Sequence, residues 1–200
     1  AIQNLSDEGY VKKVQGKGTF ITYKKEKMYL NKTRGFKETL SSKGHSSKND
    51  IIQASFLNAD GDISEKLSIP LNTKVVYLER LVWEDNEPMA IDKIYIEDEK
   101  FPGFITKLSK DRSFYTILEK DYNIQPKHAV LEIDGIIAQN QHADLLKCNI
   151  GDPLFSINKI SYDFEDKPIH YSSTIVRCDR ATYVVHTDNS NMMNTKTKSK

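Results

Sequence analysis

The residues of this 200-residue chain with the most chemistry to offer are charges set inside apolar strands. Glu79 and Arg80 split Val75-Val76-Tyr77-Leu78 from Leu81-Val82-Trp83. Asp92 follows Met89-Ala90-Ile91, Glu132 follows Val130-Leu131, and Arg177 ends Thr174-Ile175-Val176. The two-residue period of a strand puts Arg80 on one face with Leu78 and Val82, and Glu79 on the other with Tyr77 and Leu81. A charge on a buried face needs a partner. Two readings stay open: these groups pair with one another, or they line a polar cavity whose arginines grip an anion. Arginine suits a carboxylate or phosphate because its planar fork donates two parallel hydrogen bonds.

Catalytic patterns are weak by comparison. The sequence has no Gly-x-Ser-x-Gly elbow, no glycine-rich phosphate loop after a strand, and no Asp/Glu-rich metal pattern. His45, His128, His142, His170 and His186 are scattered, and Cys148 and Cys178 lack metal-ligand spacing. No catalytic residue, metal or cofactor is expected. A formal net charge of +1 rules out polyelectrolyte binding by the chain as a whole, so any nucleic-acid affinity must be local. The best local patch is Tyr10 to Val14, the turn Gln15-Gly16-Lys17-Gly18, and Thr19 to Thr22, a small hairpin carrying Lys12, Lys13 and Lys17. Ala1 to Leu5, running on to Gly9, reads as the end of a helix.

These groups need elements to hold them. Tyr23 to Lys27 reads as a charged, weakly structured linker, and 35–44 as a short helix ending at Gly44. Strands are expected over 49–57, 74–83, 88–96, 129–138, 154–163, 169–176 and 183–185, from their β-branched and aromatic content. Helices are expected over 61–67 with Asp62 as cap, over 113–122 with Ser113 as cap, and over 139–146. Antiparallel hairpins interrupted by short helices give an α+β fold with one main antiparallel sheet. From Asp188 onward the polar, Lys- and Asn-rich sequence reads as a disordered tail. No apolar run approaches 18 residues, so no membrane partner is expected. Two cysteines without a framework fit free thiols in the cytoplasm.

Two stretches resemble a known family. Ala-Ile-x-x-Leu-x-x-Glu-Gly-Tyr-Val, followed by Gly16-Lys17-Gly18-Thr19-Phe20-Ile21, resembles the recognition-helix end and wing of GntR bacterial transcription regulators. Leu78-Glu79-Arg80-Leu81, Glu87-Pro88-Met89-Ala90, Ser113-Phe114-Tyr115-x-x-Leu118 and Pro168-Ile169-x-Tyr171-Ser172 resemble the UTRA effector domain of their HutC subfamily, similar in fold to chorismate lyase. The implied division is a winged helix-turn-helix remnant over 1–22, a linker over 23–33, the effector domain over 34–187 and the tail over 188–200.

The resemblance implies a homodimeric, ligand-responsive regulator, read as a repressor. It implies that Lys12, Gln15, Gly16, Lys17 and Gly18 face operator DNA. Arg80 then grips the anionic group of a small effector, a phosphorylated sugar, with Ser113 and the Phe36-Lys37 segment at the same end. Asp92 contacts sugar hydroxyls, and Tyr115, Glu132, His170, Tyr171 and Arg177 surround the pocket. Departures from the family pattern are Lys37 for a threonine, Val82 for a second arginine, and His170 for a glutamate. A chorismate-lyase-like enzyme acting on a small carboxylate is the alternative, and a ligand-free dimerisation module a third reading.

Overall fold

A computed structural model of the chain describes residues 2–7, 11–16, 18–21, 25–29, 47–109 and 112–187. The helix expected over 35–44 and the tail from 188 lie outside these residues. Helix α1 (Ile2–Asp7) precedes a hairpin of β1 (Val11–Val14) and β2 (Gly18–Ile21), with Val14 opposite Gly18. Gly16 and Gly18 have φ of 77° and 111°, which a side chain resists. A Cβ at either would meet nothing within 4 Å, so the backbone angle, and not crowding, asks for glycine.

The rest is built on a six-stranded antiparallel sheet of β4 (Ser47–Asn58), β5 (Lys74–Glu84), β6 (Glu87–Glu97), β9 (Pro168–Arg177), β8 (Pro153–Tyr162) and β7 (His128–Ile137), in that spatial order. Asp85 and Asn86, at φ of 48° and 67°, turn β5 into β6. Both residues tolerate the left-handed region that a two-residue hairpin turn of matching twist needs. Helix α2 (Gly61–Leu67) packs on one face, and α3 (Phe114–Tyr122) on the other. Helix α4 (Asn140–Leu146) packs on the same face as α2, Leu146 meeting Leu81 and Ile91. A single-turn 3-10 helix over Phe104–Lys107 completes the layer beside α3.

Three local expectations change. The α2 cap is Asp60, whose carboxylate accepts from the Ile63 amide at 2.9 Å; Asp62 lies inside the first turn and pairs with Lys66. The capping side chain has to precede the first helical residue, and here Gly61 already is helical. Secondly, the charged stretch Tyr23 to Lys27, expected to be weakly structured, runs at Glu26 into strand β3 (Glu26–Tyr29). Thirdly, the last strand, β10 (Ala181–Val184), pairs in parallel with β3 and forms a separate two-stranded sheet. Met28, 5% exposed, supplies the reason: it enters a core with Val82, Met89, Ala90, Val176 and Ala181.

Candidate functional site

The register fixes what each sheet face carries. On one face, Arg80 stands opposite Asp92, Asp92 opposite Thr174, and Thr174 opposite Ile157. The neighbouring row reads Leu78, Ile94, Ser172 and Lys159, and beyond it His170 stands opposite Ser161. Helix α3 covers one end of this face through Phe114, Ile117 and Leu118, packed on Val76, Leu78, Ile94 and Ile96. The β3–β10 ribbon covers the other end, over Val82, Ala90, Ile157 and Val176. A strip of polar side chains therefore lies between two apolar cores.

Arg80 and Asp92 form a hydrogen-bonded ion pair in this strip, at 9% and 6% exposure. The second Asp92 oxygen accepts from the Thr174 hydroxyl at 2.9 Å. The pairing reading of the sequence holds for these two charges. Yet the Arg80 Nε–H is buried without an acceptor among the described residues, so the guanidinium is only partly satisfied. Beside the pair, Lys159 Nζ donates to the Tyr115 hydroxyl at 2.7 Å, and that hydroxyl lies 3.4 Å from both Ser161 Oγ and His170 Nε2. Lys159 has no carboxylate partner among the described residues.

His170 is buried beneath the Phe114 and Tyr115 rings, at centroid distances of 4.8 and 5.5 Å. Burial first, then the charges of Lys159 and Arg80, hold its pKa well below the ordinary histidine value. The imidazole is therefore neutral at physiological pH and serves as a hydrogen-bonding group. One ammonium with no carboxylate partner among the described residues, one part-satisfied guanidinium, a neutral imidazole and several hydroxyls make an electropositive, hydrogen-bond-rich strip. It can bind an oxyanion; no activated nucleophile is among these groups.

The sequence expectations sort by strand face. Arg80, Asp92, Tyr115 and His170 come together. Ser113 lies beside them, but its hydroxyl caps α3 by accepting from the Thr116 amide at 3.0 Å. Tyr171, Glu132 and Arg177 do not join them, because each sits one residue out of phase and faces the other side of the sheet. Tyr171 packs with Ile63 and Leu67 of α2, stacks on Tyr95, and donates to Asn158 at 2.9 Å. Glu132, opposite Asn158 on the edge strand β7, is exposed. Arg177 is held by both oxygens of Asp179 and by the Leu146 carbonyl at 3.0 Å. Phe36, Lys37 and Lys17 lie outside the described residues; Gln15, Gly16 and Gly18 lie at the β1–β2 turn, with Lys12 in β1.

Lys159 and Thr174 are the residues sequence reasoning missed. Lys159 carries the signal that singled out Arg80, a charge among Ile157, Ile160 and Tyr162, and alternation puts it on the Ile157 face. Among the described residues no cluster of His, Cys, Asp or Glu could hold a metal ion, and no helix is long and apolar enough to cross a membrane. The opposite face has a cavity of about 270 Å³ lined by Asp60, Asp62, Lys93, Tyr95, Tyr171 and Ser173. Its charges are largely committed: Lys93 to Glu79 at 3.7 Å, Asp62 to Lys66 at 3.6 Å, and Asp60 to the α2 cap.

Comparison with known proteins agrees with this architecture. The UTRA domain family matches residues 42–182. The HTH-type transcriptional regulator YurK of Bacillus subtilis (strain 168) is 32% identical over 186 residues, covering 93% of this chain and 77% of that protein. A probable fructoselysine utilization operon transcriptional repressor of Escherichia coli (strain K12) is 33% identical over 185 residues, covering 92% and 76%. In structure, PhnF from Mycobacterium smegmatis superposes with a TM-score of 0.82 over 94% of this chain and 82% of that one, at 23% identity.

Proposed function

This chain belongs to the GntR/HutC-type transcriptional regulators with a UTRA effector domain, and on that premise we propose that it senses a phosphorylated sugar. The relatives are transcriptional regulators and not enzymes, so the site is read as a sensor. The observation that carries the proposal is the polar strip between two apolar cores, where Lys159 has no carboxylate partner among the described residues and Arg80 is part-satisfied. The phosphate group binds at Lys159, Tyr115 and His170, where a charge-assisted hydrogen bond is strongest. Sugar hydroxyls bind toward Arg80, Asp92 and Thr174. A name drawn from fructoselysine utilization, borne by three relatives, fits a sugar-derived effector.

The signal leaves through β9 and the ribbon. Thr174 and Val176 alternate on one strand, and Val176 packs in the core that holds Met28 of β3. A ligand that binds two arrangements of this core with different affinity shifts their populations. Strand β3 follows directly on the β1–β2 hairpin, assigned as the wing, with Lys12, Gln15, Gly16, Lys17 and Gly18 toward operator DNA. In this division residues 1–22 belong to the DNA-binding domain and 34–187 to the effector domain, in a cytoplasmic homodimer whose twofold symmetry matches palindromic half-sites. Thermal-shift screening against hexose phosphates and inorganic phosphate tests the proposal. At least one hexose phosphate raises the melting temperature of the wild type and not of Lys159→Met; no response across the panel refutes a sugar-phosphate sensor.

A further inference from the structure

Ser172 stands in the middle of the polar strip. On β9 it lies between His170 and Thr174 on the same face, opposite Lys159 of β8 on one side and Ile94 of β6 on the other. The residue is 5% exposed, and its hydroxyl makes no hydrogen bond among the described residues. Buried polar groups nearly always find partners, so a serine left without one among bonded neighbours calls for a cause. Its oxygen is not one of the buried atoms sealed from solvent, so a small molecule in the strip can reach it.

The polar neighbours of Ser172 on this face are Lys159, Ser161, His170, Thr174, Asp92 and the Tyr115 hydroxyl above them. Asp92 lies diagonal to Ser172 across the β6–β9 pair, and its two oxygens are taken by Arg80 and by the Thr174 hydroxyl. The Tyr115 hydroxyl accepts from Lys159 and lies within 3.4 Å of Ser161 Oγ and His170 Nε2. An ammonium has three donors, so Lys159 keeps two after serving Tyr115, and Ser172 adds a third from directly across the strand pair. Opposed Cβ atoms in an antiparallel pair are about 4.5–5.5 Å apart, so one tetrahedral anion can touch both side chains. Three donors match the three non-bridging oxygens of a phosphate monoester. A carboxylate presents two oxygens in one plane and carries a smaller charge.

We infer that Ser172 is a specificity-determining residue of the effector site, whose hydroxyl donates to the ligand's anionic group beside Lys159 and makes the site select a phosphate monoester over a carboxylate. This rests on the sensor reading above. It assigns the anion to the Lys159–Ser172 pair of β8 and β9, one row away from Asp92, whose charge Arg80 already counters. The unpartnered hydroxyl of the free protein finds its partner when the ligand arrives, so the residue serves binding and not folding.

The test is calorimetric titration of the whole chain, wild type and Ser172→Ala, with a panel of hexose 6-phosphates and the hexuronates of the same rings. Alanine removes the hydroxyl and leaves the Cβ in place. Affinity for the tightest hexose 6-phosphate should fall by about tenfold or more, the worth of a hydrogen bond to a charged group. The matching hexuronate should lose no more than about threefold, because it leaves that donor idle. Melting of the free variant should occur at or above the wild-type temperature, since the lost hydroxyl has no partner in the fold. A clear drop in melting temperature would show the hydroxyl at work within the fold and would overturn the inference. Retained hexose phosphate affinity, or an equal loss for phosphate and hexuronate, overturns the role of Ser172 and leaves the sensor standing. No binding of any hexose phosphate to the wild type overturns both.

Discussion

Replacing Asp92 by alanine should strand the Arg80 guanidinium in the sheet. Both groups are more than nine-tenths buried, and Asp92 is the only carboxylate paired with Arg80 among the described residues. Breaking a buried pair from one side costs about 3–5 kcal/mol, because the remaining charge has lost both solvent and partner. The Thr174 hydroxyl also loses its acceptor, which adds about 1 kcal/mol. For a chain of this size each kcal/mol moves the melting temperature by about 2–4 °C, so Asp92→Ala should melt on the order of 10 °C below the wild type. The double variant Arg80→Met/Asp92→Leu removes both charges and should recover most of that loss, since apolar replacements of buried pairs are often neutral. Calorimetric or fluorescence-monitored melting of the two single variants and the double variant completes the cycle. A stability for Asp92→Ala within about 1 kcal/mol of the wild type fits only a well-hydrated pair and would refute this cost. A double variant as unstable as the single one would refute it equally.

Three further outcomes are expected. Lys159→Met should weaken binding of hexose phosphates by roughly tenfold or more, the worth of a charge-assisted hydrogen bond, with little change in melting temperature; retained affinity would place the anion elsewhere. His170 titrates in the folded chain well below its unfolded value, so the unfolded state takes up the proton first as pH falls. Its contribution is complete above about pH 6.5 and is lost below that at up to about 1.4 kcal/mol per pH unit. Melting between pH 7.5 and 5.5 should show this decline in the wild type and a shallower one in His170→Gln; equal slopes would contradict the assignment. Met28→Ala should cost about 2–4 kcal/mol and expose the amides of Glu26 to Tyr29 to faster hydrogen exchange; unchanged protection would mean that β3 is held by backbone pairing alone.

How much of this was legible depended on how local the signal is. The β5–β6 hairpin announces itself through Val75 to Val82, a turn of Asp85 and Asn86, and a return through Ile91, Ile94 and Ile96. Alternation alone placed Arg80 with Leu78 and Val82, and the structure agrees. The same rule applied to β9 would have separated His170 from Tyr171, adjacent residues that cannot face one pocket; family resemblance grouped them regardless. Strand β3 was illegible because its pairing partner β10 is distant in sequence, and because Glu26 and Lys27 hide the one residue, Met28, that is buried.

On the sensor reading, the ligand's phosphate sits on the sheet face of Lys159, Tyr115 and His170. A crystal structure of the chain with its tightest-binding hexose phosphate tests this most directly. Phosphate oxygens should lie at hydrogen-bond distance, about 2.7–2.9 Å, from Lys159 Nζ, with sugar hydroxyls toward Thr174, Asp92 and Arg80. Phosphate bound instead on the opposite face, in the cavity between Asp60, Lys93, Tyr95 and Tyr171, would contradict it.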